Sequence, residues 1–311
     1  MGAIVPERQH DVVIVGGGAA GVSTALECRD IQLDVVLLES GEALGGQLAE
    51  ISHPVKNVAT GRYADGPDLG VGLRRSADQL GDCVLLDHGV SASGLAEGWV
   101  ESNGTRFGAD ALLLATGTVP QHLAVAEDGA FGGDVTYHVE GDPDRFTGRP
   151  VVVVGGGDSA TLDALGLAPI ASSVVLAHRS ERLTARDDIV AQVSSEPRIE
   201  DLAGWEVESV HGQERLEAVV LVHTATGERR TVPAGGLVVK ISRDPCTEGF
   251  RGQIDLDRSG FIVTDEDLAT SCPGVFAAGD VVSGAYWRVS SALGHGSLVS
   301  RTILRFVQDR G

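Results

Sequence analysis

Two short runs of β-branched residues dominate the hydrophobic pattern of the chain, at positions 12–15 and 151–154. Each run is followed directly by a glycine cluster, GGGAAG after the first and GGGDSA after the second. A short, wholly apolar run is typical of a strand buried on both faces of a parallel sheet, and the segment after each cluster is compatible with a helix. The pattern therefore predicts two copies of a strand-turn-helix unit.

The spacing of the glycines indicates what these turns bind. In such a turn the first glycine permits a tight bend, the second lets the backbone approach a pyrophosphate, and the third position packs the helix against the strand. The helix N-terminus then faces the anion. We expect dinucleotide contacts at Gly16, Gly18, Ala19 and Ala20 in the first turn, and at Gly155, Gly157, Asp158 and Ser159 in the second.

The second strand of each unit supplies a further check, because the residue that meets the adenosine ribose lies roughly 20 positions after the first glycine. The first unit places Glu39 there, a carboxylate able to accept hydrogen bonds from both ribose hydroxyls. The second unit places His178 there, followed by Arg179. The first site thus suits an unphosphorylated ribose, and the second has a guanidinium group that could tolerate a 2′-phosphate.

The chain passes between two domains twice. The apolar run 111–114 ends at ATGTVP, where the first passage begins, and the return lies near residues 239–245. We therefore expect an α/β protein with two Rossmann-like dinucleotide-binding domains, the second inserted into the first. Residues 1–120 and 246–311 form the first, discontinuous domain, and residues 121–245 form the second.

The composition and net charge of the chain exclude several classes of partner. The 311 residues include 24 basic and 44 acidic side chains, a net charge of −20, which repels phosphate backbones and anionic lipid headgroups. Nucleic acid and membrane are therefore not expected partners. No long apolar span and no signal segment are evident, so a cytoplasmic location is expected. The four cysteines show no metal-ligand spacing, and no metal site is expected.

Further motifs extend the two glycine turns. They are GGQL at 45–48, ATG at 115–117, and SCPGVFAAGDV at 271–281. With them the chain resembles the low-molecular-weight thioredoxin reductase branch of the FAD-dependent pyridine nucleotide oxidoreductases. The resemblance implies FAD as cofactor, NAD(P)H as a second candidate cofactor, and a homodimer. It implies FAD contacts at Gly46, Gln47, Ala115, Thr116, Gly117, Gly279, Asp280 and Val289, with Asp280 on the ribityl chain.

One family feature is missing. Members carry a CxxC pair shortly before the second glycine turn, whereas residues 134–142 here contain no cysteine. Without two vicinal thiols no internal dithiol can relay electrons from the flavin. We therefore expect that the chain is not a thioredoxin reductase of the dithiol-dependent kind.

Parts of the chain look more like the thioredoxin-reductase-type ferredoxin-NADP reductases. These parts are GGGDSA and the HPVK segment at 53–56, which is similar to a Tyr-Pro-x-Lys segment whose ring stacks on the flavin. By that likeness His53 sits against the flavin. Two departures weaken this likeness. Those reductases have a His-Arg-Arg motif followed by a further arginine four positions later, whereas this chain has His178-Arg179-Ser180 and then Thr184. In addition, a net charge of −20 repels acidic ferredoxins, which disfavours ferredoxin or flavodoxin as a partner.

Three functions remain open. The first is an FAD oxidoreductase that passes electrons between a nicotinamide and a small-molecule substrate or oxygen through flavin N5. The second is a ferredoxin or flavodoxin reductase, and the third is a flavin oxidase reduced by its own substrate, with a decayed NAD(P) site. Candidate acid-base residues are His53, His138 and His295.

Overall fold

A computed structural model describes residues 8–126, 130–137, 139 and 143–310. The strands of these residues are β1 (Arg8–Val15), β2 (Val35–Leu38), β3 (Val55–Val58), β4 (Gly61–Tyr63), β5 (Val84–Leu85), β6 (Val90–Gly94), β7 (Trp99–Ser102), β8 (Thr105–Leu114), β9 (Thr118–Pro120), β10 (Val135–Thr136), β11 (Pro150–Val154), β12 (Ser173–His178), β13 (Ile199–Ala203), β14 (Trp205–Gly212), β15 (Leu216–His223), β16 (Arg229–Pro233), β17 (Gly236–Val239), β18 (Arg243–Pro245) and β19 (Val275–Ala277). The helices are α1 (Ala19–Asp30), α2 (Gly66–Ala77), the one-turn α3 (Ala130–Gly133), α4 (Asp158–Leu167), α5 (Asp187–Ser195) and α6 (Val289–Gln308).

The chain divides into two compact units. Unit 1 comprises residues 1–119 and 244–311, and unit 2 comprises residues 120–243. Strands β9 and β18 carry the chain from one unit to the other.

Unit 1 is built on a seven-stranded sheet in the order β5-β2-β1-β8-β7-β6, with β19 also paired to β8. The strands around β1 run parallel to it, and β7 and β6 add an antiparallel edge. Val12 and Ile14 pack into the core on one face of this sheet, while Val13 and Val15 pack into the core on the other. The first apolar run is therefore a central strand buried on both faces, as expected for parallel sheets.

Unit 2 repeats the arrangement with a five-stranded parallel sheet in the order β10-β17-β11-β12-β13, and adds the antiparallel sheet β14-β15-β16. The second apolar run forms β11, which lies between β12 and β17. Helix α4 follows β11 directly, as α1 follows β1. The predicted fold class, two Rossmann-like units each opened by a strand-turn-helix segment, is thus confirmed.

A buried carboxylate ties three segments of unit 2 together. Asp134 has a side chain only 2% exposed, and it accepts hydrogen bonds from Arg149 Nη1 (2.8 Å), from Arg215 Nε and Nη2 (both 2.7 Å), and from the Leu216 backbone N–H (3.0 Å). Burial by itself raises the pKa of Asp134, but the bonds from Arg215, Arg149 and Leu216 outweigh it and hold that pKa well below its usual range. Asp134 is therefore ionised at neutral pH.

Candidate dinucleotide sites

The first glycine turn is shaped by two positions at which no side chain fits. Gly16 has φ +108°, and a Cβ there would run into the carbonyl oxygen of Ala115. A Cβ at Gly21 would run into the carbonyl oxygen of Gly16. The first glycine thus permits the bend and the third lets α1 pack against β1, which are the steric roles that the spacing predicts.

Gly18 differs from these two glycines. It is the N-cap of α1, with φ −73° and ψ −173°, and no side chain caps this end of the helix. A Cβ at Gly18 would meet no protein atom within 4 Å. The space over the N-terminus, where Ala19 and Ala20 begin the helix, is therefore open to a ligand. A pyrophosphate suits it, because backbone N–H groups and the helix dipole favour an anion there.

Glu39 closes the turn from the end of β2. Its Oε2 accepts a hydrogen bond from the Gly17 backbone N–H (2.6 Å), and its Oε1 accepts one from the Gly41 N–H (2.7 Å). An open cavity of about 400 Å³ lies beside this carboxylate, and its lining includes Glu39, Gly41, Leu44, Gly46, Pro67 and Arg74. Cavities of this size hold small ligands. The carboxylate is held where an adenosine ribose would need an acceptor.

Arg74 of this lining was missed by sequence reasoning. Its Nη1 donates to the Leu44 carbonyl (3.3 Å), which fixes the guanidinium beside Gly45 and Gly70. Arg74 lies in the last turn of α2, where a basic residue is ordinary. Nothing in the sequence therefore distinguishes it from a surface arginine.

Three distant segments meet at the predicted ribityl position. Gln47 Nε2 donates to Asp280 Oδ2 (3.2 Å), and a Cβ at Gly117, which has φ +63°, would lie 3.2 Å from the same nitrogen. Thr116 Oγ1 donates to the Cys246 carbonyl (2.8 Å), which holds this crossover in place. Gly46 starts the 3₁₀ turn Gly46–Glu50, and a Cβ there would lie 3.4 Å from Gly18 Cα. The glycine turn, GGQL, ATG and the Gly279-Asp280 turn therefore contribute to one region of unit 1.

His295 lies against the protein backbone at this region. Its Nδ1 accepts a hydrogen bond from the Gly279 backbone N–H (3.2 Å). A Cβ at Gly279 would lie 2.9 Å from Ala20 Cβ, so His295 supports a turn that contacts the start of α1. Burial lowers the pKa of His295, which favours the neutral ring that this bond requires. The structure gives His295 a positioning contact in addition to its predicted acid-base character.

Val289 packs against the strand that His53 precedes. Half-buried His53 stands just before β3, and Val289, the first residue of α6, packs in the cluster of Val55, Val58 and Leu48. Ser290 Oγ donates to the Asn57 carbonyl (3.0 Å), which joins α6 to the same strand. His53 therefore remains a candidate at the start of α6. His138 lies outside the described residues.

Two exposed aromatic residues, Tyr286 and Trp287, precede α6; Tyr286 is 67% exposed. Trp287 stacks on Phe261 with 5.8 Å between ring centroids. The stacked rings of Trp287 and Phe261 form an aromatic surface at the α6 N-terminus.

The second glycine turn follows the design of the first. Gly155 has φ +133°, and a Cβ there would run into the Lys240 carbonyl. Gly157 is the N-cap of α4, with no side-chain cap, and a Cβ there would meet only Thr184 Oγ1, at 4.0 Å. Ser159 is exposed in the first turn of α4. This helix end too has room for an anion.

The expectation that His178 contacts the ribose needs correction. His178 is 2% exposed, with Ser180 Oγ 3.0 Å from its Nδ1 and Asp201 Oδ1 2.9 Å from its Nε2. Both ring nitrogens are thus used within the protein, because a neutral imidazole has only one donor and one acceptor. Arg179 is exposed at the strand end.

Asp201 could not have been predicted from spacing. It lies on β13, and it meets His178 only because β12 and β13 pair in a register that places Leu176 opposite Asp201.

The cysteines form no pair. Cys28, Cys83, Cys246 and Cys272 are all free thiols, and burial raises the pKa of Cys28 to about 12. Burial also raises the pKa of Cys83 and of Cys272. Raised values leave little thiolate, the reactive form, at neutral pH.

The described part of the chain holds neither a metal-ligand cluster nor a helix suited to cross a membrane. No group of three or more His, Cys, Asp or Glu side chains there could hold a metal ion. Within the same residues, no helix has both the length and the apolar character needed to cross a bilayer.

Comparison with known proteins agrees with this architecture. A profile of the pyridine nucleotide-disulphide oxidoreductase family matches residues 10–296. A thioredoxin reductase of Streptomyces clavuligerus is 34% identical over 292 residues, covering 92% of this chain and 90% of that protein. The crystal structure of Lactococcus lactis thioredoxin reductase in its FR conformation matches with a TM-score of 0.89 at 26% identity, covering 96% of this chain and 99% of that one. The T. acidophilum thioredoxin reductase structure gives 0.83 at 28% identity, covering 98% and 99%.

Proposed function

This chain belongs to the pyridine nucleotide-disulphide oxidoreductase family, and we propose that it is an FAD-dependent member that works without a redox disulfide. One contrast carries the proposal. Unit 1 has an open glycine turn, a bonded Glu39 carboxylate and a Gln47–Asp280 pair that would suit FAD, whereas the four cysteines stand far apart in the sequence and none is bonded to another. The flavin would then exchange electrons with the nicotinamide in one half-reaction and with a small molecule or oxygen in the other.

The residues of unit 1 fit FAD. The open space at Gly18 suits the pyrophosphate, the Glu39 carboxylate suits the adenosine ribose, and Asp280, oriented by Gln47, suits the ribityl hydroxyls. Bound FAD would supply the hydride-transfer chemistry through its N5 atom. The protein's part is to bind the cofactor, to orient it and to set the field around it.

In this proposal His53 is the residue that accepts or donates the proton of the reaction. An imidazole changes charge near neutral pH, and His53 precedes the strand that packs against the start of α6. Trp287 and Phe261, stacked on each other beside the same helix end, offer an apolar surface for an aromatic substrate such as a quinone.

Anaerobic titration of the purified yellow protein tests the proposal. We expect NADH or NADPH to bleach the flavin absorbance, and oxygen or a quinone to restore it. A parallel assay with thioredoxin and a disulfide reagent should show no reduction above background. A protein that neither carries FAD nor takes it up, or one that reduces thioredoxin efficiently, would overturn the proposal.

A second candidate is an electron-transfer flavoprotein of the ferredoxin reductase kind. GGGDSA at the second turn and His53-Pro54 before β3 favour it, while the net charge of −20 opposes an acidic protein partner. Stopped-flow mixing with reduced ferredoxin and flavodoxin separates the two candidates. If neither nicotinamide bleaches the flavin but a substrate does, the third candidate, a substrate-fed oxidase, is favoured instead.

The proposal also includes a homodimer, implied by the resemblance to the family, and a cytoplasmic location, expected from the sequence. Sedimentation at micromolar concentration tests the first, and cell fractionation tests the second.

A further inference from the structure

We infer that the nucleotide site of unit 2 takes a nicotinamide dinucleotide whose adenosine ribose carries a free 2′-hydroxyl, and that Asp201 and Asp158 make it reject a 2′-phosphate. This inference rests on the proposed function, because it concerns the nucleotide that would reduce the protein. It assigns NADH rather than NADPH.

The loop after β12 is docked onto the second glycine turn. The backbone N–H groups of Thr184 and Ala185 both donate to the Gly156 carbonyl, at 2.8 and 3.1 Å, and Thr184 Oγ1 lies 3.2 Å from the same oxygen. The loop between His178 and Arg186 is thereby held beside the turn that would bind the pyrophosphate. Its charged groups consequently decide what sits at the adenosine end of the site.

Asp158 pairs with Arg186, which follows the two residues docked on the turn. The Arg186 backbone N–H donates to Asp158 Oδ1 (2.9 Å), and Arg186 Nε lies 3.5 Å from Asp158 Oδ2 and 3.7 Å from Asp188 Oδ1. These ion pairs are exposed and weak, but two carboxylates beside one guanidinium cancel its attraction for a third anion. Arg186 is thus a poor phosphate ligand.

Asp201 places a second carboxylate at the end of β12. One of its oxygens bonds His178 Nε2 at 2.9 Å, and its side chain is 43% exposed. His178 itself lies against the glycine turn, since a Cβ at Gly156 would be 3.2 Å from His178 Cβ. The His178–Asp201 pair therefore presents a carboxylate acceptor where the ribose hydroxyls are expected, next to the exposed Arg179. An acceptor suits a 2′-hydroxyl and repels a phosphate.

Carboxylates outnumber arginines in this region. The three arginines of the loop are all exposed. The whole set is Arg179, Arg182 and Arg186 against Asp158, Glu181, Asp187, Asp188 and Asp201. A phosphate dianion entering here meets a net negative field, whereas a hydroxyl meets no such penalty.

Calorimetric binding of two fragments to the FAD-loaded protein tests the inference without turnover. The probes are ADP-ribose and 2′-phospho-ADP-ribose. We expect the wild type to bind ADP-ribose about tenfold more tightly or better, the order of one unfavourable charge contact. Asp201→Asn keeps an oxygen that can face His178 but loses the charge, and Asp158→Asn keeps an acceptor for Arg186 N–H. Each should tighten 2′-phospho-ADP-ribose by roughly three- to tenfold.

Glu217→Gln is the matched control, because it removes one exposed carboxylate from β15 of the same unit. It should leave the ratio of the two affinities unchanged. Tighter binding of the phosphorylated fragment by the wild type would overturn the inference and leave the proposed function intact. An unchanged ratio in both aspartate variants would overturn the roles of Asp201 and Asp158. If neither fragment binds, the inference and the nicotinamide part of the proposed function both fail.

Discussion

The substitution Gly18→Ala should change FAD affinity much more than it changes the stability of the fold. Gly18 has φ −73° and ψ −173°, which alanine adopts without strain, and its Cβ would meet no protein atom within 4 Å. The flavin-free variant should therefore stay within about 1 kcal/mol of the wild type, because the lower entropy of the unfolded alanine chain is offset by the poorer capping of α1 by alanine. The added methyl group would occupy the space that we assign to the FAD pyrophosphate.

The cost to FAD binding follows from that overlap. Forcing one extra methyl group into a packed contact costs about 1–3 kcal/mol. This corresponds to a dissociation constant for FAD raised roughly 5- to 150-fold. Titration of flavin-free protein with FAD, followed by flavin fluorescence, measures the affinity, and urea unfolding of the same preparation measures the stability.

Two other glycines serve as controls. Gly72 is exposed on α2 and its Cβ also would meet nothing within 4 Å, so Gly72→Ala should stabilise the protein by about 1 kcal/mol and leave FAD affinity unchanged. Gly16→Ala, at φ +108° and against the Ala115 carbonyl, should prevent correct folding. If Gly18→Ala binds FAD within twofold of the wild type, no pyrophosphate approaches Gly18 and the assignment of the first turn is wrong.

Three further predictions concern single side chains. Glu39→Gln should weaken FAD binding about tenfold in the same titration, because the carboxylate that accepts from the Gly17 N–H loses its charge, and an unchanged affinity would remove Glu39 from the site. Asp134→Asn should destabilise the protein by about 3 kcal/mol in urea. Since the pKa of Asp134 is held low, this loss should stay constant from pH 7 to about pH 4 and shrink only in more acid solution, and a loss that shrinks near pH 6 would contradict the assignment. His295→Leu should lose FAD affinity at pH 7, while His295→Asn, which retains an acceptor for the Gly279 N–H, keeps most of it. Because burial lowers the pKa of His295, the affinity of the wild type should hold at neutral pH and fall only in acid solution, where the ring is protonated. Equal affinities in the two variants would exclude the positioning role.

The sequence was sufficient to predict structural features that lie within one continuous segment of the chain. The glycine turns at Gly16 and Gly155 depend on backbone sterics within a few residues of one strand-turn-helix segment, and both have the positive φ that their positions imply. Glu39 also follows from local geometry, because the length of α1 and the next strand sets its distance from the turn.

Residues from separate segments were harder to assign. The prediction for His178 used the same spacing rule as Glu39, yet His178 is buried against Asp201, which β13 supplies through strand pairing. Likewise, spacing along the chain gives Arg186 no partner, and only the contacts of its loop with Gly156 bring it to Asp158.

The amino-acid sequence was thus enough for the fold class, the two glycine turns and the lack of a vicinal thiol pair, since periodicity, turn sterics and cysteine spacing are properties of short stretches of chain. The folded structure was needed for the environment of each polar group: the carboxylate that faces His178, the backbone bond that His295 accepts, and the arginine pair that keeps Asp134 ionised. Charge and hydrogen-bonding capacity depend on neighbours that are remote in sequence, and those neighbours meet only when strands pair and helices pack.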